Sequence, residues 1–305
     1  MSNPKTGNAK SAEAGRRGSD VRSDCWVKIE PTADGGIDLN LKSKVESMYG
    51  DATRTLVREV LAGLGVEKAR VEIEDAGALP FVIAARVEAA ARRLGLDVGE
   101  GYTLDVANGT QYDTQRDRFR RSRLYLPGND PKFMLNAGLH RPDAVILDLE
   151  DSVAPPEKDA ARILVRNALR ALNFYGAERM VRINQGDRGL EDLEFIVPHN
   201  VHLVLIPKVE GPDQVRQVDE RIREFLSRAA GFSPRGAPAR EASENTVFLM
   251  PIIESALGAI KSYEIATASD NNVALAIGLE DYTADISAQR TPKGRESSWA
   301  RSQVV

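Results

Sequence analysis

Ala144-Val145-Ile146-Leu147-Asp148-Leu149-Glu150-Asp151 is a run of four apolar residues that ends in three acids within four positions. The pattern recurs downstream: Met180–Ile183 carries Arg182 and is followed by Asn184, and Leu203–Pro207 is followed by Lys208. Val247–Ile253 runs into Glu254-Ser255, and Val273–Ile277 is soon followed by Glu280-Asp281. Leu124–Leu126 opens the series and leads into Pro127-Gly128-Asn129. Between the runs, Pro156–Leu172 and Asp213–Ala229 have helical spacing, with Val215, Val218, Ile222, Phe225 and Ala229 on one face. Nearly continuous apolar strands alternating with helices describe a parallel sheet covered on its outside. A doubly wound sheet gathers its polar groups at one switch point. Here almost every strand ends in them, as the C-terminal face of a TIM (β/α)8-type barrel requires. Eight barrel units need ~250 residues, and residues 121–305 accommodate about six. The reading is therefore an α/β barrel that lacks its last two units. Its first and sixth strands would then be open edges, so the chain is expected to associate and to show little activity.

Upstream lies a different kind of segment. Residues 1–24 hold few large apolar side chains and read as a disordered leader. Residues 25–94 read as a small α+β domain. Cys25–Pro31 and Ile37–Leu41 alternate as strands, joined as a hairpin through Asp34-Gly35-Gly36. Thr53–Leu64 and Phe81–Leu94 read as helices, with Val71–Ile73 as a short strand between them. Residues 95–119 show no sustained period and read as a linker to the barrel at 120–305.

Composition narrows the function. The chain has 41 Lys+Arg against 45 Asp+Glu, a formal net charge of −4, which does not suit a nucleic-acid binder. No apolar run approaches the ~18 residues of a membrane span, and residues 1–24, without an apolar stretch, do not read as a secretory signal. The single Cys25 excludes an internal disulfide. The reading is a cytoplasmic protein without membrane or nucleic-acid partners.

Several residues carry chemistry. Glu254 and Asp281, on neighbouring strand ends, suit a hard cation such as Mg2+, although lone carboxylates there also serve as helix caps or ion-pair partners. Strand alternation would turn Glu280 away if Asp281 faces the site. Arg182 and Arg121 offer forks for a carboxylate, or surface ion pairs. Asp148, Glu150 and Asp151 would repel one another without a nearby cation, and Lys208 is a candidate to neutralise one of them. Pro127 and Gly128 form either an ordinary turn or one where glycine lets the backbone approach a ligand closely. His199 and His202 precede the fourth strand, at the barrel's stability face, and read as structural.

Arg121-Ser122-Arg123-Leu124-Tyr125-Leu126-Pro127-Gly128, Leu147–Val153 with Glu157-Lys158, Val181–Asn184, Pro207-Lys208, Ile253–Ser255 and Gly278–Tyr282 occur in order. Together they resemble the citrate lyase beta subunit and malyl-CoA lyase family, of the HpcH/HpaI aldolase superfamily. Ile37-Asp38-Leu39, Tyr49–Ala52 and Glu74–Leu79 followed by Ala85–Ala89 resemble the citrate lyase acyl carrier (gamma) subunit. The resemblance implies a lyase fused behind a carrier domain. It implies Mg2+ on Glu254 and Asp281, and an oxo-acid carboxylate on Arg182 and Arg121. Asp148, Glu150 and Asp151 would organise water and metal from a second layer. It implies a CoA thioester substrate, or a phosphoribosyl-dephospho-CoA arm on a carrier serine. Anchoring the carrier pattern on Asp24 sets Arg22 at the attachment position, so Ser23 or Ser19 could serve only after a shift in register. The implied reaction cleaves a citryl thioester to oxaloacetate and an acetyl thioester. The alternatives are a malyl-CoA or β-methylmalyl-CoA lyase or a thioesterase, and, outside enzymes, an inactive truncated fragment or an acyl-CoA-binding scaffold. A homo-oligomer and a citrate lyase alpha subunit are the implied protein partners.

Overall fold

The computed structural model describes residues 11–229 and 246–305. The chain packs as two compact units. The first comprises the described residues up to Asp105 together with Gly128–Asn136 and Ala154–Leu172, and the second holds the rest.

In the first unit, β1 (Ala12–Gly15), β2 (Cys25–Pro31), β3 (Ile37–Ser43) and β4 (Ala69–Asp75) form a sheet in the order β1-β2-β4-β3. Helices α1 (Glu46–Gly63) and α2 (Pro80–Arg93) belong to the same unit. Two features depart from the sequence reading. The stretch read as a leader contains β1, which pairs antiparallel with β2. Its only large-scale apolar content is two alanines, so hydrophobicity does not announce it. Gly15 takes φ 87° and lies so close to the Cys25 carbonyl that a Cβ would stand 2.0 Å from that oxygen. The hairpin between β2 and β3 does not form either. β4 lies between them, antiparallel to β2 and parallel to β3. Strands are spaced ~4.8 Å apart, and five turn residues suffice to step across one intervening strand. The turn holds the start of β4: Thr32 N donates to Lys68 O at 3.2 Å and Ala69 N to Gly36 O at 3.1 Å.

The same unit includes α3 (Pro131–Leu135) and α4 (Lys158–Ala171). Helix α2 is buried along nearly its whole length and packs on α4. Arg166 of α4 reaches Glu88 of α2 with Nη2 at 2.6 Å and Nη1 at 3.1 Å, both side chains fully buried. Asn167 Nδ2 donates to Phe81 O at 3.1 Å. Arg86 forks onto the buried Asp24 and also donates to Asn129 O at 2.9 Å.

In the second unit, β5 (Arg123–Pro127), β6 (Ala144–Asp148), β7 (Glu178–Arg182), β8 (Leu203–Ile206), β9 (Phe248–Ile253) and β10 (Ala276–Ile277) form one curled parallel sheet. Its order follows the chain from β5 to β10 without a switch point, the arrangement of a TIM-type barrel and not of a doubly wound fold. Helices α5 (Gly186–Ile196), α6 (Pro212–Ala229), α7 (Ala256–Ile260), α8 (Ser262–Ala266), α9 (Leu279–Asp285) and α10 (Ser298–Val304) complete the unit. Ala144, Ile146, Met180, Leu203, Leu205, Phe248, Met250 and Ile252 form its inner core. They are alternate residues of their strands, so period two continues the same face to Asp148, Arg182 and Glu254. On α6, Val215, Val218, Ile222 and Phe225 are buried, as their spacing requires.

Much of the stretch read as a linker is integral to this unit. Arg179 donates to the carbonyls of Thr110 and Tyr112, and Arg120 forks onto the buried Glu178. His202 is buried against Tyr112, ring centroids 5.4 Å apart, and its Nδ1 accepts from Arg179 N at 3.1 Å. These contacts secure the N-terminal ends of the strands, and they match the structural role read for His202. Among the described residues, no helix is long and apolar enough to cross a membrane.

Candidate active site

The C-terminal ends of β6 to β9 and the first turn of α9 bring seven predicted residues together: Asp148, Glu150, Asp151, Arg182, Lys208, Glu254 and Asp281. Arg182 is the hub. Its Nε and Nη2 donate to Asp148 Oδ1 and Oδ2, both at 2.7 Å, and its Nη1 lies 3.0 Å from Glu150 Oε2. The register explains the fork, since Asp148 and Arg182 are direct partners across β6 and β7. Asp148 also accepts from Glu150 N at 2.9 Å and Ser152 N at 3.2 Å. Burial would raise its pKa, but the bonds from Arg182, Ser152 and Glu150 outweigh burial and hold it below the usual carboxylate range. Asp148 therefore orients Arg182. Tyr125 lies beneath this arginine, with the guanidinium carbon 5.3 Å from the ring centroid.

Glu150 is different. Burial raises its pKa, and Asp151 adds to the rise while Gln185 and Arg182 oppose it. Gln185 Nε2 donates to Glu150 Oε1 at 2.7 Å. Asp151 is exposed and stands 3.7 Å from Arg182.

Glu254 is buried, and its Oε2 accepts from Lys208 N at 3.0 Å. Burial pushes its pKa up to about 7; Asp281 and Glu150 add to the rise, and the Lys208 amide opposes it. Gly278 faces this carboxylate, where a Cβ would stand 2.5 Å from Glu254 Oε1. Asp281 Oδ2 is 3.7 Å from Lys208 Nζ. Asp281 belongs to the first turn of α9 and not to a strand end. Glu280 does face elsewhere, pairing with Arg290, but helical rotation and not strand alternation turns it away.

Two carboxylates, one buried with its negative charge undercompensated, and a glycine that leaves space beside it fit a Mg2+ ion that keeps several waters. Among the described residues, no group of three or more His, Cys, Asp or Glu forms a closed metal cage. The donor set thus fits an open cation site completed by water or substrate.

Arg121 is not part of this cluster. It precedes β5, at the opposite end of the strand, where its side chain is 73% exposed, lies 3.4 Å from Asp143 and stacks on Phe119. The strand's five residues, at ~3.3 Å each, separate it from the C-terminal face. Arg123 and Tyr125 take the inner face instead, and Arg123 Nη1 approaches Met250 Sδ at 3.4 Å. Alternation along β5 is the signal that identifies them; Gln185 has no comparable signal. Pro127 ends β5 opposite Asp148. Gly128 belongs to the first unit. Ser23, also in that unit, is half-buried with φ 58°, and its N donates to Ala76 O at 3.0 Å. Ser19 is exposed, and its carbonyl accepts from Lys44 Nζ at 3.4 Å.

The fold and this cluster define a parallel-barrel protein with an acid–arginine site on its C-terminal face. Residues 121–305 match the family described as HpcH/HpaI aldolase/citrate lyase, and residues 9–94 match the acyl carrier family described as malonate decarboxylase delta subunit. The chain belongs to the HpcH/HpaI aldolase/citrate lyase family and bears an N-terminal acyl-carrier segment. It is 34% identical over 191 residues to the citrate lyase beta subunit of Leuconostoc mesenteroides subsp. cremoris, covering 62% of this chain and 60% of that protein. It is 48% identical over 71 residues to citrate lyase acyl carrier protein 2 of Salmonella paratyphi A, covering 23% of this chain and 73% of the carrier. Among solved structures, it is similar to the citrate lyase beta subunit of M. tuberculosis complexed with oxaloacetate and magnesium. That match has 28% identity and a TM-score of 0.44, over 61% of this chain and 73% of that one. The chain spans about three fifths of the length of the citrate lyase beta subunit it matches.

Proposed function

We propose that the chain is a Mg2+-dependent carbon–carbon lyase of the citrate lyase beta type, cleaving a citryl thioester to oxaloacetate and an acetyl thioester. The observation that carries this reading is the convergence of an anchored arginine with two carboxylates, Glu254 and Asp281, at one end of the sheet. Glu254 and Asp281 would hold the cation. Magnesium supplies Lewis-acid polarisation of the substrate hydroxyl and carboxylate. Arg182 holds the carboxylate that leaves as the oxo-acid. Its fork to Asp148 involves Nε and Nη2, yet each terminal nitrogen carries a second N–H, so donors remain for substrate. Because Asp148 fixes the guanidinium beforehand, little reorientation accompanies binding. Lys208 moderates the repulsion among the acids.

The thioester is carried on CoA or on a phosphoribosyl-dephospho-CoA arm. Ser23 and Ser19 are the candidate attachment points, on one end of the carrier sheet, with Pro127 and Gly128 as backbone contacts to the acyl group. The cytoplasm, a homo-oligomer and a citrate lyase alpha subunit complete the proposal. The test is oxaloacetate release from citryl-CoA by the chain, with and without Mg2+, beside E254Q and D281N. Metal-dependent release lost in both variants supports the reading. Turnover of malyl-CoA with none of citryl-CoA, or turnover unaffected by the two changes, sinks it. Intact mass of protein from its native host reports whether a CoA-like arm is present, and peptide mapping reports which serine bears it.

A further inference from the structure

We infer that Lys208 is a built-in counter-ion of the acid cluster, and that a divalent cation must displace its ammonium from Asp281 in order to bind. The inference rests on the cation reading of Glu254 and Asp281. Lys208 Nζ lies 3.7 Å from Asp281, 3.7 Å from Glu150 and 3.9 Å from Asp151. All three separations exceed the ~2.7–3.2 Å of a hydrogen bond. The ammonium is thus held by the summed field of these three carboxylates and of Glu254, and not by any one contact. Its four-carbon stem is flexible, and its tip is partly exposed. Nothing anchors it to Asp281 in particular.

The backbone of the same residue serves the other carboxylate. Lys208 N donates to Glu254 Oε2 at 3.0 Å. Lys208 therefore contacts both candidate cation ligands, one through its amide and one through its side chain. It does so from a left-handed conformation, φ 49°, that a residue with a Cβ seldom adopts. Strain of this kind persists where the surroundings over-determine it, and it clusters at functional sites. Here it lets one residue present its N–H to Glu254 while its side chain reaches Asp281.

Two positive charges cannot share Asp281 at close range without mutual repulsion. A cation entering between Glu254 and Asp281 therefore competes with the ammonium. Glu150 and Asp151, already 3.7 and 3.9 Å from the ammonium, still attract it once it leaves Asp281, so Lys208 stays in the site with its charge. The arrangement keeps the acids compatible before the cation arrives and makes cation affinity lower than the carboxylates alone would set it.

Calorimetric titration with Mg2+, at fixed pH and ionic strength, tests this on the chain and on K208M, K208Q, K208R and E254Q. Removing a unit positive charge from beside the cation site is expected to tighten binding about tenfold or more. K208M and K208Q should both show that gain, K208R should bind no more tightly than the parent, and E254Q should lose binding. Unchanged or weaker affinity in K208M and K208Q, with E254Q still impaired, would overturn the counter-ion role while leaving the cation site intact. Absence of Mg2+ binding in the parent would overturn the cation reading and this inference together.

Discussion

Asp148 and Arg182 show how one register decision creates a site residue. Because β6 and β7 pair Asp148 with Arg182 directly, the guanidinium is forked at 2.7 Å on both arms before any substrate is present. A lysine at this position is a point charge that cannot make the fork and also face a second carboxylate. R182K is therefore expected to lower kcat/KM by about a hundredfold or more, the scale of losing an oriented charged donor. Steady-state kinetics with citryl-CoA checks it, and an undiminished kcat/KM removes Arg182 from the chemistry. Gly278 makes a second residue-scale prediction. A methyl group 2.5 Å from Glu254 Oε1 must push that carboxylate aside. G278A should weaken Mg2+ binding at least tenfold while the melting temperature changes little, as calorimetry and a thermal melt would show. Asp148, Arg182 and Glu254 were legible in the sequence because period two projects them from an apolar core face. Arg121 was misleading for the reason that Asp143, its partner, comes near only through the pairing of β5 with β6.

Elements were legible where burial is one-sided and hidden where pairing alone makes them. The six strands of the second unit announce themselves as apolar runs, and α6 as a stripe. β1 has no such mark, and the position of β4 between β2 and β3 depends on which edges meet, information that two alternating strands and a glycine turn do not contain. Asp281 illustrates the boundary case: the chain leaves β10 after two residues, so a strand-end acid becomes a helix first-turn acid. At this scale the α2–α4 contact is the element pair most exposed to a test. Burial alone would raise the Glu88 pKa, but the Arg166 charge, its hydrogen bonds and the Tyr102 N–H hold it below the ordinary value. A depressed folded-state pKa contributes stability above the unfolded value, near 4.5, that is lost as pH falls through the folded one. The urea midpoint of the parent should therefore fall as pH drops below about 4.5 by more than that of E88Q. At pH 7, E88Q should be less stable by about 3 kcal/mol, because Arg166 is left buried without its counter-charge. Equal midpoints at pH 7 would show that Arg166 finds another acceptor.

At the scale of the molecule, the compact units do not follow the sequence boundary between carrier and lyase. Residues 9–94 and 121–305 match different families, yet α3 and α4, from the lyase portion, pack in the carrier's unit. The carrier segment thus supplies the partners of three α4 side chains, Arg166 and Asn167 buried and Asp159 exposed. Arg166 is closed by Glu88, Asn167 by the Phe81 carbonyl, and Asp159 by a fork from Arg93 with both contacts at 2.7 Å. Deleting residues 1–94 removes all three partners at once. Arg166 then either keeps an uncompensated charge or turns to water and opens the helix face, and loss of one partner of a buried ion pair alone costs about 3–5 kcal/mol. The shortened chain is accordingly expected to melt well below the parent and to self-associate through α4. A triple change on α4 that removes the orphaned groups, D159A with R166M and N167A, should recover part of the lost stability in the shortened chain while destabilising the parent. Size-exclusion chromatography and thermal melts of the four proteins decide it. A shortened chain that is monodisperse and melts with the parent would mean that α4 is indifferent to the carrier segment, and that the two families are joined here only by covalent linkage.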